Sequence, residues 1–344
     1  RCQIYHTSFG FEKSPASTEE VDFPLAYGVL AHERFEQLLL TLSSVYELHN
    51  HYCVAVPSNA DQSFIHLVHG LADCFENIHV LQTGPILWGA YEILRATFDC
   101  MEYLYLSGVD APLRTNLEMV KIFKEWNGLS HVEAVPYNGT RLRAMRNKTP
   151  PLPIFKSSLS GVIAREAAKV MIFNANARKL LEFLRPTHIA DEAFWASTLG
   201  NPDILPIPGG FNATEFSTFQ IRYSETTNSS KTIHSCIYPP CLSYGFVGRF
   251  QIWDIKRCKG LWKNKSCVFG VRHLPQLSSN AALVAHKLYI DYEPAAFICM
   301  LKRTAHRRAH PDANFDARQY NSLPQIEFAR GATYEQLSRP DLFV

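Results

Sequence analysis

The sequence lacks the signatures of several large enzyme classes. None of its strand-like segments is followed by Gly-x-Gly-x-x-Gly or by Gly-x-x-x-x-Gly-Lys-[Ser/Thr], which argues against a dinucleotide dehydrogenase and a P-loop enzyme. No two cysteines are spaced Cys-x-x-Cys, so a zinc ribbon or a thioredoxin-type redox centre is disfavoured. No window reaches the ~18 to 20 apolar residues of a membrane span, and the opening stretch RCQIYHTSFG lacks the charged segment and apolar core of a secretory leader. The chain as it stands reads as soluble, or as a fragment of something anchored. Charge of one sign is also scarce: 34 Lys and Arg against 32 Asp and Glu leave a formal net charge of +2. The cations are scattered rather than massed, which disfavours a nucleic-acid partner. The one basic run, Lys302 to His310, reads as a solvated tail.

What is present is core-forming material. The 344 residues are 47% hydrophobic, enough for one large domain or two closely joined ones. There are nine cysteines and five glycosylation sequons, at Asn138, Asn147, Asn212, Asn228 and Asn264. One such tripeptide is weak evidence, but five beside spaced cysteines favour an oxidising, secretory compartment. An odd number of cysteines implies a free thiol or a partner outside this stretch.

The first third alternates strands and helices. FPLAYGVLAH (Phe23 to His32) reads as a buried strand, followed by a helix with Phe35, Leu38, Leu39, Leu42 and Tyr46 on one stripe. HYCVAV is a second strand, ended by Pro57; a helix over Ser63 to Cys74, a strand IHVL and a long helix from about Trp88 to Tyr105 follow. That alternation predicts a parallel sheet covered on both faces, which binds ligands at the carboxyl ends of its strands. Next come a helix at Asn116 to Trp126, a strand LSGVIA, and helices at Arg165 to Asn174 and Ala177 to Leu184. From Pro202 onward the pattern turns irregular and strand-rich, stapled by cysteines.

In THIADEAFWASTLGN, Asp191 reads as a helix N-cap and Glu192 as the first helical residue, where a carboxylate favours the positive end of the helix dipole. Phe194, Trp195 and Leu199 form the buried stripe. A second reading makes Glu192 a general base facing a cleft. The residues alone favour the first.

Taken in order, FPLAYGVLAH, HYCVAV, DCMEYLYLSGVDAPLRTNLEMV, IADEAFWASTL and CVFGVRHLP with LVAHKL resemble the core 2 β1,6-N-acetylglucosaminyltransferase family, which includes the peptide xylosyltransferases; the likeness is strongest to nematode members. It runs from about Cys2 to Cys299. The resemblance implies an α/β, GT-A-like glycosyltransferase fold with a Rossmann-like mixed sheet flanked by helices and a disulfide-stapled irregular C-terminal part. Residues 1–24 would be a stem remnant, 25–301 the catalytic domain and 302–344 a C-terminal tail. It implies a Golgi type II membrane protein whose anchor lies upstream. The reaction would be inverting, metal-independent transfer from a UDP-sugar to an O-glycan acceptor on glycoproteins, with no resident cofactor.

The resemblance also assigns residues, and it makes Glu192 the base. The chain has no Asp-x-Asp, the usual manganese site of such folds, so cations must steady the departing diphosphate. One is Lys287; the family's second cation, an Arg, falls on Asn264, leaving Lys263 or Lys265 to substitute. Leu30, His32, Trp88 and Asp110 fall near the donor, although from the residues alone His32 and Trp88 read equally as core and Asp110 as a turn residue. A family Asp that holds the ribose falls on Pro57. Glu133, Arg141 and Trp253 fall on acceptor-binding positions. The family's bridges imply Cys2 with Cys74, Cys53 with Cys100 and Cys258 with Cys267, Cys299 pairing upstream of Arg1; Cys236 and Cys241 are left to pair together. GlcNAc transfer to a core 1 glycan is the first reading; UDP-glucose or xylosyl transfer, and a silent carbohydrate-binding protein, are the alternatives.

Overall fold

The computed structural model describes residues 2–11, 17–100, 104–137, 139, 142, 147–226 and 245–343. Four strands, β1 (Ala26–Leu30), β2 (His51–Pro57), β3 (Ile78–Thr83) and β4 (Leu104–Ser107), form an all-parallel sheet in the order β3-β2-β1-β4. β2 is buried from Tyr52 to Pro57, as its unbroken apolar run requires of a strand covered on both faces. The helix Phe35–Val45 buries Leu38, Leu39, Leu42 and Val45, and the helix Gln62–Ala72 buries Phe64, Val68 and Leu71. Asp61 caps the second helix by accepting from the amides of Ser63 and Phe64.

The sheet order matters for function. The chain steps outward from β1 to β2 to β3, then returns to lay β4 on the other side of β1. Such a reversal leaves a crevice at the carboxyl ends of the two strands that flank it. Leu30 and Ser107 end β1 and β4 there, and the Gly108 amide donates to the Leu30 carbonyl at 3.0 Å. Gly108 has to be bare: a Cβ on it would lie 2.9 Å from the Cβ of Ala31.

The short strands that follow are β5 (Ala111–Pro112), β6 (Val135–Pro136), β7 (Phe155–Lys156), β8 (Arg249–Phe250), β9 (Leu261–Lys263), β10 (Ser266–Val268) and β11 (Val284–Ala285). β6 pairs with β7, and β9 with β10. β11 lies between β5, antiparallel, and β8, parallel. This three-stranded sheet brings together chain segments more than a hundred residues apart. The helix Asp191–Leu199 is buried from Ala193 to Leu199 and packs on β7, whose Phe155 amide donates to Ser197 Oγ at 2.8 Å. Gly200 ends it; a Cβ there would meet the Cβ of Ala213 at 2.3 Å. The three implied disulfides are present, Cys2–Cys74, Cys53–Cys100 and Cys258–Cys267, with Cα atoms 5.3, 5.8 and 5.4 Å apart. Cys299 is exposed and unbridged. Cys236 and Cys241 lie outside the described residues. Among those residues no helix is long and apolar enough to cross a membrane.

Several sequence expectations need correction. The helix expected from Trp88 to Tyr105 is shorter, Tyr91–Asp99, and the apolar run after it is β4. Periodicity cannot separate a helix end from a buried strand in so short a run. LSGVIA forms only an isolated bridge from Val162 to His131. The region after Pro202 contains a 14-residue helix, Ala213–Thr226, whose first turn is capped by Asn212 Oδ1 accepting from Glu215 N. The basic run is no solvated tail: it ends the helix Pro294–Ala309, with Arg307 paired to Glu118 and Arg308 to buried Glu47. Beyond it Tyr320, Leu323 and Ile326 are fully buried in the core beside the sheet. At the other end, Tyr5 and Phe11 are buried in the same core.

Candidate active site

Two groups of side chains lie on either side of Asp110, which follows β4. The first surrounds a cleft of about 270 Å³ whose lining includes Glu133, Lys156, Glu192, Arg249 and Trp253. Glu192 enters it from the first turn of the helix Asp191–Leu199. Asp191 is not the cap expected from the sequence: the N-cap position is Ala190, and Asp191 and Glu192 are the first two helical residues. The Glu192 carbonyl accepts from the Ser157 amide at 2.7 Å, which fixes the helix start against the residue after β7. The ammonium of Lys156 donates to the Glu133 carboxylate at 2.7 Å across the β6–β7 ladder. Trp253 stands in the wall with its side chain 61% exposed, an indole face open to a ligand rather than spent in the core. Arg141 lies outside the described residues.

The second group collects cations around one ring. Lys287 Nζ lies 5.7 Å, Lys263 Nζ 5.0 Å and the Arg34 guanidinium 4.3 Å from the centre of Tyr289. Lys287 is buried, and its Nζ donates to the Lys263 carbonyl at 2.7 Å. Burial, with Lys263 beside it, pushes the Lys287 ammonium down to about 8. Lys265 turns the other way, its Nζ 5.6 Å from the Trp88 ring, which meets His188 edge-on. Asn264 and Lys265 both have positive φ, 51° and 59°, as a two-residue hairpin turn of that kind demands. Asn264 is thus an exposed turn tip. His32, just past β1, is exposed; partial desolvation by the surrounding protein, then the charge of Arg34, lowers its pKa. Pro57 is buried at the end of β2 opposite Thr83.

Asp110 joins the two groups. It precedes β5, Arg249 lies on β8 and His286 follows β11, so the three-stranded sheet sets them side by side. The Asp110 carboxylate is fully buried. It accepts from the Ser107 amide at 2.8 Å and from His286 Nδ1 at 2.6 Å, with Arg249 Nη2 3.6 Å away. Burial raises its pKa, but the charge of Arg249 and the hydrogen bonds from His286 and Ser107 outweigh that and leave it below the ordinary carboxylate value. Burial, then Arg249, pushes His286 down to about 4; the imidazole is neutral and its Nδ1 carries the donated proton. His286 is joined to Lys287 by a cis peptide bond. Asp110 closes the turn after β4, its amide donating to the Ser107 carbonyl at 3.0 Å, and its carboxylate is at the same time a buried charge hub. Among the described residues no group of three or more His, Cys, Asp or Glu is arranged to hold a metal ion.

Sequence reasoning missed Arg34, Lys156, Arg249, His286 and Tyr289. All but Lys156 lie within a few residues of a position it did select: Arg34 beside His32, Arg249 before Trp253, and His286 and Tyr289 on either side of Lys287.

The Core-2/I-Branching enzyme model matches residues 25–241, from the start of the sheet through the helix that carries Glu192. The chain belongs to that family. It is similar to the β-1,3-galactosyl-O-glycosyl-glycoprotein β-1,6-N-acetylglucosaminyltransferase of Homo sapiens, 25% identical over 326 residues, covering 85% of this chain and 72% of the relative. The enzyme numbered 3 of the same name from Rattus norvegicus is 30% identical over 338 residues, covering 89% and 74%. A protein of this name from Bovine herpesvirus 4 is 24% identical over 335 residues, covering 89% and 73%. The chain is therefore a glycosyltransferase of the β1,6-N-acetylglucosaminyltransferase-like kind, with a mixed α/β fold of GT-A-like type. For this Core-2/I-branching enzyme, the two side-chain groups are the natural places to seek the halves of a transfer reaction.

Proposed function

We propose that this enzyme transfers GlcNAc from UDP-GlcNAc, in β1,6 linkage and with inversion, to a core 1 O-glycan on glycoproteins. It would need no metal ion and would act in the Golgi lumen as the luminal portion of a type II membrane protein. The observation that carries the reading is the cleft: a carboxylate at the start of a buried helix shares one wall with Glu133, Lys156 and an exposed indole. An indole stacks on the apolar face of a sugar, and a carboxylate–ammonium pair grips neighbouring hydroxyls. The names of the relatives, N-acetylglucosaminyltransferases acting on galactosyl-O-glycosyl-glycoproteins, support this choice of sugar and acceptor class.

In this reading the Glu192 carboxylate takes the proton of the acceptor hydroxyl while the oxygen bonds to the anomeric carbon. The bond from that carbon to the diphosphate oxygen breaks, and its electron pair leaves with UDP. Attack on the face opposite the leaving group inverts the centre. Lys287, with Lys263 or Lys265, steadies the charge gathering on the diphosphate. Leu30, His32, Trp88 and Asp110 would frame the donor, and Glu133, Arg141 and Trp253 the acceptor.

The test is release of UDP from a panel of UDP-sugars with a core 1 acceptor, with and without EDTA. Turnover with UDP-GlcNAc that survives chelation is expected, and Glu192→Gln is expected to slow it by ~10² or more while UDP affinity holds. An active Glu192→Gln enzyme removes the base. Activity abolished by EDTA and restored by manganese removes the metal-free mechanism. Acceptor binding without turnover makes the protein a sugar-binding module.

A further inference from the structure

The sequence leaves one feature of the donor site open, because the position expected to supply a guanidinium is Asn264 at an exposed turn tip. The structure offers another. Arg34 follows β1, on the β1 side of the crevice between β1 and β4, and takes a left-handed conformation with φ 59°. Its side chain is only 14% exposed, and its guanidinium lies on the face of Tyr289, the ring that Lys263 and Lys287 also approach. Nε and Nη2 donate to the two oxygens of Asp291 at 3.0 Å each, and Glu33 also contacts the guanidinium. The other well-paired arginines near the core differ: Arg307 and Arg308 hold the buried carboxylates Glu118 and Glu47, inside the protein. Asp291, by contrast, keeps 61% of its side chain exposed.

We propose that Arg34, Lys263 and Lys287 form a single anion-binding site around Tyr289 that grips the diphosphate of the donor nucleotide, and that Asp291 is a stand-in anion which Arg34 releases to it. Three cations within 6 Å of one ring repel one another, and two carboxylates compensate them only in part. A diphosphate supplies both the missing charge and the paired oxygens that a planar guanidinium fits bidentately. Burial first, and Lys263 second, lower the Lys287 ammonium to about 8, and an anion set against it would offset both. A solvent-exposed carboxylate is a weak partner for Arg34 and is easily exchanged. The inference rests on the UDP-sugar reading above.

The test is calorimetric binding of UDP to the full chain, with uridine binding followed by saturation-transfer NMR. Arg34→Ala is expected to weaken UDP at least tenfold and leave uridine unchanged, with Arg34→Lys recovering part of the loss. Asp291→Asn is expected to tighten UDP three- to tenfold, since it removes the competing anion. Melting curves report whether each variant is folded, and Arg34→Lys keeps the test open if Arg34→Ala is not. If the wild-type chain binds UDP and Arg34→Ala binds it equally, or loses UDP and uridine in the same proportion, the Arg34 assignment falls alone. Weaker UDP binding by Asp291→Asn overturns the exchange. A wild-type chain that binds no UDP overturns the donor reading together with this one.

Discussion

Replacing Asp110 by Asn keeps its shape and removes its charge, so the response measures what the hub contributes. The carboxylate is fully buried, with Arg249 Nη2 at 3.6 Å and donors from Ser107 and His286 at 2.8 and 2.6 Å. At an effective dielectric of ~20, a charge pair at this separation attracts by about 4 to 5 kcal/mol, and breaking a buried pair by removing one partner costs ~3 to 5 kcal/mol. An amide also has to turn its NH2 towards one of the two donors, against which it cannot bond. Water reaching the cleft side of Arg249 recovers part of this, so a loss near 3 kcal/mol is expected in urea unfolding at neutral pH. Arg249→Met in the same background should recover part of the loss, because the uncompensated cation goes with it. The catalytic readout is separate: Arg249 lines the same cleft as Glu192, and a guanidinium freed from Asp110 competes for that carboxylate, so kcat should fall beyond any change in acceptor KM. An Asp110→Asn protein within ~0.5 kcal/mol of the wild type, or with an unchanged kcat, refutes the hub.

Trp253→Ala removes a half-exposed indole from the cleft wall. It should raise acceptor KM about tenfold, leave UDP affinity alone and shift the melting temperature little, since burying some 50 Å² of ring against a sugar is worth about 1.3 kcal/mol; an unchanged KM removes Trp253 from the acceptor site. His131 is fully buried against Trp126 and Phe246, its Nε2 bonded to the Gly245 carbonyl at 3.0 Å, and burial pushes it down to about 4. Its folded pKa lies below the unfolded value of about 6.5, so the unfolded chain takes the proton first and stability is full above that value and lost as pH falls towards 4. The loss at pH 5 is about 2 kcal/mol. His131→Phe should flatten the slope of unfolding free energy between pH 7 and 5 by that amount, while His286 leaves a second slope of the same sign in place; equal slopes in the two proteins refute the account.

The first half of the fold was legible because period and punctuation agree there. Phe35 to Tyr46 repeats at helical spacing, HYCVAV is apolar throughout, and Pro57 stops the strand, so each element is read within a few residues of its observed bounds. β4 was not, because a four-residue strand that follows a helix carries no period of its own. The three-stranded sheet was out of reach: β5, β8 and β11 are two residues each, and nothing local says that Ala111, Phe250 and Ala285 are neighbours. The site shows the same division. Glu192, Glu133 and Trp253 stand in recognisable segments, whereas the roles of Asp110, Arg249 and His286 exist only once long-range pairing has set them together.

That pairing solves an electrostatic problem posed by the reaction. A base that takes a proton wants no cation spare in its cleft, and a leaving diphosphate wants several, yet the two groups have to face one sugar ring. Arg249 and Glu192 line the same cleft. Asp110 answers the charge of Arg249 from behind the wall and also bonds the ring of His286, the residue before Lys287. In the proposed reading the positive charge on the donor side is carried instead by Arg34, Lys263 and Lys287, which gather around Tyr289. If Glu192 is the base and the cations around Tyr289 hold the diphosphate, as proposed, one buried carboxylate keeps the two half-sites side by side without letting them neutralise. A chain that lost Asp110 but kept every side chain touching substrate would keep both halves and lose their separation.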